Sequence, residues 1–106
     1  MATDTRHGDA WLSPEIEDLF RAILSLKDSA ELSDFMRDLC TLPELETMAH
    51  RWQVAQLVAE GLPYLEIVER TGASTTTVTR VAHWLRHGQD GYQVALTRRS
   101  SASRSR

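Results

Sequence analysis

The sequence is poor in the residues that cross-link a chain or anchor it in a membrane. It has one cysteine in 106 residues, so Cys40 can form no internal disulfide and has no partner for a zinc knuckle. No run of about eighteen apolar residues occurs, which excludes a membrane-spanning helix. The first residues, MATDTRHGDAW, lack the basic flank and apolar stretch of a signal peptide. We therefore expect one small cytoplasmic domain.

The patterns of common enzyme active sites are missing as well. Gly72 stands alone in a threonine-rich turn and does not belong to a GxxxxGK[ST] phosphate loop. The serines and the cysteine have no evident base beside them. Acidic residues of the first half fall at first-turn and solvent-face positions of predicted helices, where they interact with helix dipoles and water. We expect no catalytic activity, no cofactor and no resident metal ion.

Charge is distributed unevenly along the chain. The net charge of −3 is, taken alone, unfavourable for binding a nucleic acid. However, residues 1–60 hold 12 acidic and 5 basic side chains, a net −7, whereas residues 61–106 hold 3 and 7, a net +4. A basic C-terminal half can contact a polyanion while the acidic half faces away from it.

Helical periodicity is the only convincing regular pattern. Apolar residues recur at i, i+3 and i+4 in successive segments, and helix start and stop signals bound these segments. The predicted helices are 14–26, a second opened by Asp28, a third from Pro43 to near Gly61, and a fourth from Pro63 to Gly72. We expect a flexible N-terminus over 1–12, a folded domain over 13–95 and a disordered basic tail over 96–106.

The stretch GASTTTVTRV, residues 72–81, contains consecutive β-branched residues that favour a strand. The apolar residues from Val78 to Leu85 indicate a helix instead, because they are spaced at i, i+3, i+4 and i+7. We therefore predict a helix over about 74–87. Together with the preceding helix, and with Gly72 in the sharp turn, it forms a helix-turn-helix over about 63–87.

The threonines suit the recognition helix of such a motif. A helix that enters the major groove presents its first turns to base edges. A threonine hydroxyl donates and accepts hydrogen bonds, and its methyl group contacts thymine. Nearby arginines can neutralise phosphates, as can the tail arginines from Arg98 to Arg106. The residues expected to contact double-stranded DNA are Arg70, Ser74, Thr75, Thr76, Thr77, Thr79, Arg80 and Arg86.

The segment LPELETMAHRWQVAQLVAEGLPYLEIVERTGASTTTVTRVAHWLRHGQDGY resembles the Trp repressor superfamily, and more closely its YerC/YecD branch. The matching features are LPEL at the start of the long helix, AHRWQVAQLVAEG along it, the turn TGAST, VTRV, and GQDGY after the recognition helix. The similarity covers about residues 13–92.

The resemblance implies an all-α, TrpR-like bundle of about five to six helices with a helix-turn-helix. It also implies a homodimer with intertwined N-terminal helices, in which two recognition helices lie about one DNA turn apart on a palindromic operator. The implied function is a transcriptional regulator, specifically a repressor. In such a dimer we expect burial, within or between subunits, of Leu19, Phe20, Phe35, Leu39, Leu45 and Trp52.

The resemblance also concerns a small-molecule effector. In tryptophan-responsive members, an arginine on the long helix and one on the recognition helix flank the bound amino acid, and Arg51 and Arg80 match these positions. Those members have a glycine and a serine where this sequence has Val81 and Trp84, which compete with an indole ring for space. We expect that tryptophan is not the effector. Either no effector exists or a smaller one, such as histidine, binds there.

Two other interpretations remain open. The apolar helix faces can belong to a non-enzymatic protein–protein interaction module instead of a DNA-binding dimer. His83 and His87 have the i, i+4 spacing of a two-histidine metal site, for which Asp90 or His50 is a candidate third ligand. Solvated or phosphate-facing histidines explain this spacing without a metal ion.

Overall fold

The structure, a computed structural model, describes residues 10–104, with side chains for residues 10–100. It confirms the predicted all-α class, since this part of the chain contains six helices and no strand. None of these helices is long and apolar enough to cross a membrane.

The chain divides into two compact units, Met1–Thr41 and Leu42–Arg106. The helices are α1 (Pro14–Leu24), α2 (Ser29–Leu39), α3 (Leu42–Ala59), α4 (Tyr64–Thr71), α5 (Thr75–His87) and α6 (Gly91–Arg104).

Helix α1 begins where the Ser13-Pro14 pair predicts. The Ser13 hydroxyl accepts a hydrogen bond from the Ile16 amide over 3.2 Å. Pro14 takes the first turn, where a helix needs no amide hydrogen. Before the helix, the Trp11 ring packs edge-on against Phe20 with the ring centroids 6.3 Å apart. Of the N-terminus predicted to be flexible, residues 1–9 lie outside the described residues.

Helix α2 begins with a variant of the capping box that the sequence predicts. The Asp28 carboxylate accepts from the Glu31 amide over 2.9 Å, and the Glu31 carboxylate accepts from the Lys27 amide over 2.8 Å. The second bond therefore reaches the residue before the N-cap rather than the N-cap itself. The first bond satisfies a backbone donor of the first turn that the helix would otherwise leave without a partner, and the second fixes the chain just before the helix.

The N-terminal unit has little core of its own. Neither α1 nor α2 contains a buried residue, and Leu24 is 82% exposed. Several large apolar side chains are therefore in contact with solvent in the single chain. In the single chain, none of the side chains expected to be buried within or between subunits is fully buried, either in this unit or on α3. Phe20 and Leu39 are exposed, and Leu19, Phe35, Leu45 and Trp52 are half-buried.

In the C-terminal unit, helix α3 ends in a Schellman motif. Gly61 has a φ of +88°, and its amide donates to the Val58 carbonyl over 3.0 Å. The amide of Leu62 donates to the Leu57 carbonyl over 3.3 Å. Glycine is suited to this position because a positive φ does not bring a Cβ atom close to the backbone. The motif turns the chain so that α4 packs against α3.

The core of this unit lies where α3, α4 and α5 meet. Its largest fully buried side chains are Val54, Ile67 and Val78, one from each helix. Burying an aliphatic side chain of this size stabilises the fold by about 1.5–3 kcal/mol. Helix α6 adds a contact with α5. The buried residues of the unit are Val54, Ala55, Val58, Ile67, Ala73, Val78, Val81, Ala82 and Leu85.

Helix α6 differs from the expectation for the end of the chain. Residues 96–104 are helical where the sequence predicted disorder, and residues 105–106 lie outside the described residues. The start of α6 is held in place, since Leu96 packs against the core and the Gln93 side chain donates to the Leu85 carbonyl over 3.2 Å. A turn fixed in this way removes the cost of nucleation, and the helix then propagates through residues with adequate helix propensity.

Candidate nucleic-acid interface

The turn between α4 and α5 has the conformation that the sequence predicts. Gly72 has a φ of +78°, and its amide donates to the Val68 carbonyl over 2.9 Å. Thr71 closes the turn from the other side, because its hydroxyl donates to the Ile67 carbonyl over 2.8 Å and accepts from the Ala73 amide over 3.0 Å. Both α4 and α5 pack on α3. The two helices therefore form a helix-turn-helix held on a common support.

The threonine run is helical, as the sequence predicts, and forms the first turns of α5. One face is buried and joins the core through Val78, Val81, Ala82 and Leu85. The opposite face is exposed and carries Thr75, Thr76, Thr79 and Arg80. Burial of the apolar face stabilises a helix whose β-branched residues have low intrinsic propensity.

Ser74 and Thr77 have a structural role within the predicted contact set. The Ser74 hydroxyl accepts from the Thr77 amide over 3.1 Å and donates to the Thr77 hydroxyl over 3.1 Å. Ser74 is therefore the N-cap of α5. Its hydroxyl is already engaged, and Thr77 is half-buried. The exposed Thr75, Thr76 and Thr79 are better placed to contact bases.

Two of the predicted phosphate-binding arginines have partners on α4. Arg70 lies 3.7 Å from the Glu66 carboxylate, in a pair whose side chains are about half exposed. The Arg86 guanidinium donates to the Tyr64 hydroxyl over 3.5 Å. Sequence reasoning missed Glu66 and Tyr64. The Glu66–Arg70 spacing of i, i+4 could have indicated the first pair, but no local pattern indicates a contact 22 residues apart.

The four residues of the predicted effector site come together in the structure. They line one pocket of about 350 Å³ between α3, α5 and α6. Val81 is buried, whereas Trp84 is 57% exposed, so the indole ring forms part of the wall and does not fill the space. The lining residues are Arg51, Thr77, Arg80, Val81, Trp84 and Tyr92. The sequence indicated neither Thr77 nor Tyr92 as part of this site.

Tyr92 reaches the pocket because of its position at the start of α6. Its ring stacks on Trp52 of α3, with centroids 6.4 Å apart and planes inclined by 17°. Offset stacking of this kind contributes roughly 0.5–1.5 kcal/mol beyond the area that it buries. The stack therefore attaches the first turn of α6 to the long helix and sets one wall of the pocket.

The two histidines of α5 are neighbours without a third candidate ligand. The ring centroids of His83 and His87 are 5.0 Å apart, and His83 also contacts the Trp84 ring edge-on at 5.2 Å. The part of the chain that the structure describes contains no group of three His, Cys, Asp or Glu side chains that could hold a metal ion. Neither Asp90 nor His50 therefore completes a site with this pair.

A family model described as Trp repressor protein matches residues 14–100. The chain belongs to the Trp repressor family. This family consists of DNA-binding regulators rather than enzymes. The match contains α1 to α5 and most of α6, so the helix-turn-helix and every residue of the pocket lie within it.

Individual relatives in the Trp repressor family agree with this assignment. The chain is 46% identical over 84 residues to "Uncharacterized protein YerC" of Bacillus subtilis (strain 168), covering 79% of this chain and 81% of that one. The crystal structure of a TrpR-like protein from Eubacterium eligens superposes with a TM-score of 0.82 at 43% identity, covering 87% of this chain and 96% of that chain. A putative Trp repressor from Staphylococcus aureus superposes with the same TM-score at 34% identity, covering 91% and 96%.

These comparisons confirm the predicted resemblance to TrpR-like proteins of the YerC type and the predicted all-α fold. The sequence pattern of this chain predicted the helix-turn-helix from the residues alone, before the family resemblance was used. The exposed face of α5 is accordingly the candidate nucleic-acid interface of this chain.

Proposed function

We propose that this protein is a transcriptional repressor that binds DNA sequence-specifically, as a homodimer on a palindromic operator. The observation that carries this proposal is the two-sided character of α5. One face is packed in the core, and the other presents Thr75, Thr76 and Thr79 to solvent. Short hydroxyl side chains at the start of a helix can approach base edges in the major groove without steric hindrance.

Electrostatics supports the same proposal. The C-terminal 46 residues carry a net charge of +4, although the whole chain is acidic. Arg70, Arg80 and Arg86 are exposed on the two helices of the helix-turn-helix. Phosphate neutralisation by such residues releases counterions and supplies affinity that does not depend on sequence. The arginines hold the protein on the duplex, and the threonines discriminate between bases.

A homodimer explains why large apolar side chains of the N-terminal unit are exposed in the single chain. Phe20, Leu24 and Leu39 are 43%, 82% and 50% exposed in the single chain. A second copy of the chain is the partner that covers these side chains in our proposal. Two-fold symmetry then places two copies of α5 on half-sites related by the same symmetry, which explains a palindromic operator.

Free tryptophan is not the effector in this proposal. Trp84 already supplies an indole ring to the pocket wall, and Val81 occupies volume next to it. These two side chains stand where the tryptophan-responsive members have a glycine and a serine, so they take up part of the space that admits an indole ring in those members. We propose that the protein binds its operator without a small-molecule effector.

Selection of bound duplexes from random DNA at moderate salt tests the function. We expect an enriched inverted repeat whose half-site centres lie about 10 base pairs apart. The matched variant replaces Thr75, Thr76 and Thr79 together by Ala. It should keep non-specific binding and return no enriched motif. If the wild-type protein enriches no motif, the proposed function is wrong.

A further inference from the structure

The side chains of Tyr64 and Arg86 connect the two helices of the helix-turn-helix at the helix ends that do not form the turn. Tyr64 is the first residue of α4, and Arg86 lies in the last turn of α5. The Arg86 guanidinium donates to the Tyr64 hydroxyl over 3.5 Å. Gly72, by contrast, lies between the end of α4 and the start of α5. The pair therefore occupies a second place on the motif, away from the turn.

This hydrogen bond adds little to the stability of the fold. Both side chains are exposed, and the bond is longer than the usual separation of about 2.9–3.0 Å for an N–H···O bond. Helices α4 and α5 are already held together by the core, in which Ile67 and Val78 are fully buried. What the bond determines is the position of the Arg86 guanidinium.

The pair offers hydrogen-bond donors to a further partner. A guanidinium has five N–H donors and no acceptor, so the Tyr64 hydroxyl accepts from Arg86 and cannot donate to it. The hydroxyl proton and the other N–H groups of Arg86 are thus directed at other partners. The carboxylate in the first turn of α4, that of Glu66, pairs with Arg70 instead. A positive charge beside a hydroxyl donor is suited to an anion with several acceptor oxygens, such as a phosphodiester.

The place of the pair in the motif favours a backbone phosphate over a base. A recognition helix contacts base edges with its N-terminal residues, while the first helix of the motif crosses the DNA backbone. Tyr64 and Arg86 lie at the start of α4 and near the end of α5, away from Thr75 and Thr76 in the first turn of α5. We propose that Tyr64 and Arg86 together bind one backbone phosphate of double-stranded DNA, and that Tyr64 both donates to this phosphate and positions the guanidinium. The inference rests on the proposed function and adds Tyr64 to the residues that contact the duplex.

Positioning of Arg86 strengthens binding for an entropic reason. A long side chain that moves freely in solvent loses conformational freedom when it binds a phosphate, and this loss offsets part of the interaction. A guanidinium that is already held beside the Tyr64 hydroxyl loses less. Because a phosphate contact carries no sequence information, Tyr64 should strengthen binding to every duplex equally.

Tyr64→Phe tests the role of the hydroxyl, because it keeps the ring. It should weaken binding of operator and random duplexes alike by roughly two- to tenfold, the effect of one net hydrogen bond. The slope of log K against log salt should stay the same, since no charge is lost, whereas Arg86→Gln should lower it by about one. Thermal melting followed by circular dichroism should be the same for Tyr64→Phe and the wild type, since the side chain is exposed.

Combined variants test whether Tyr64 acts through Arg86. The loss caused by Tyr64→Phe should be much smaller in the Arg86→Gln background than in the wild type. Arg70→Gln is the matched control background, since it removes the same charge from an exposed arginine of the same motif that pairs with Glu66 and not with Tyr64. In that background the loss should be as large as in the wild type.

Uncharged methylphosphonate linkages, introduced one at a time into the selected operator, identify the phosphate. At one linkage per half-site, wild type and Tyr64→Phe should bind with equal affinity, because the shared partner of Tyr64 and Arg86 is neutralised. At the other linkages the difference between them should remain.

The inference is overturned if Tyr64→Phe binds DNA as tightly as the wild type, or if its loss is equally large in the Arg86→Gln background. A loss confined to the operator also overturns it, because Tyr64 would then contact a base. Failure of the proposed function would appear differently, as the absence of any selected motif. In that case the coupling between Tyr64 and Arg86 on random duplexes still decides the inference, and a wild-type protein that binds no duplex overturns both.

Discussion

The hydroxyl of Ser74 caps α5 by accepting from the amide of Thr77 over 3.1 Å. We expect Ser74→Ala to lower the free energy of unfolding by about 0.5–2 kcal/mol, because it leaves a donor of the first turn unsatisfied. Urea denaturation measures this cost. Ser74→Asn is the control, since its side chain can also accept the bond and should lose much less stability. Equal losses for the two variants would contradict the capping role.

Glycine is needed at position 72 because of the positive φ there, and not because a side chain would clash with its neighbours. No atom lies within 4 Å of a Cβ built at Gly72, but φ is +78°. We expect Gly72→Ala to destabilise the fold by about 1–2 kcal/mol, the usual cost of the left-handed region. Gly91→Ala is the control, because Gly91 has open space and a negative φ, and its substitution should be nearly neutral. Thermal unfolding of the two variants compares them directly.

The ion pair between Glu66 and Arg70 reduces the charge that Arg70 offers to DNA. Glu66→Gln releases Arg70 from this pair, so we expect it to tighten binding equally for operator and random duplexes. The effect should be several-fold and no larger, because an exposed pair of this kind is worth only about 0–1 kcal/mol. Glu69→Gln removes the same charge from the same helix without releasing Arg70. Fluorescence anisotropy should therefore find a larger effect for Glu66→Gln. Identical effects would mean that overall charge alone is responsible.

Thr76 lies on the exposed face of α5. If it contacts a base, Thr76→Ala should weaken operator binding by about 1–3 kcal/mol and leave non-specific binding almost unchanged. The exposed Thr97 of α6 provides a control substitution away from α5. Competition between operator and random DNA measures the ratio of the two affinities. An equal loss on both kinds of DNA would make Thr76 a backbone contact.

Leu24 is 82% exposed in the single chain. We expect Leu24→Glu to shift the protein from dimer to monomer at micromolar concentration, because a charge there opposes burial of the apolar surface between subunits. Ser33→Glu introduces the same charge at an exposed polar position and should leave the dimer intact. Light scattering measures the mass. A wild-type protein that is monomeric alone would favour the interaction-module interpretation instead.

Local signals in the sequence predicted much of the fold. Ser13-Pro14, Asp28 with Glu31, and Gly72 each act within a few residues, and the structure has the corresponding helix ends. The helix over the threonine run was also predictable, because the apolar spacing after it outweighs intrinsic propensity. This spacing reports which face is buried, whatever the preference of the individual residues.

Contacts between distant residues could not be predicted in the same way. The Trp52–Tyr92 stack attaches α6 to α3 across 40 positions of the sequence, and no periodic pattern marks either ring as its partner. The length of α6 follows from this attachment. Composition alone therefore suggested disorder for residues 96–104. The pocket shows both cases, since the resemblance located four of its residues and tertiary packing added Thr77 and Tyr92.

The helix packing in the C-terminal unit affects how rapidly it forms. Helix α3 packs on α4, α4 on α5 and α5 on α6, and longer connections join α3 to α5 and, through the Trp52–Tyr92 stack, α3 to α6. Helical folds whose contacts join segments close along the chain have low contact order and fold in microseconds to milliseconds. Assembly of two subunits is bimolecular and slows at low protein concentration. The helix-turn-helix is thus expected to be folded before a partner chain is encountered, and in the proposed dimer the rate of subunit association limits how soon a newly made chain can bind two half-sites.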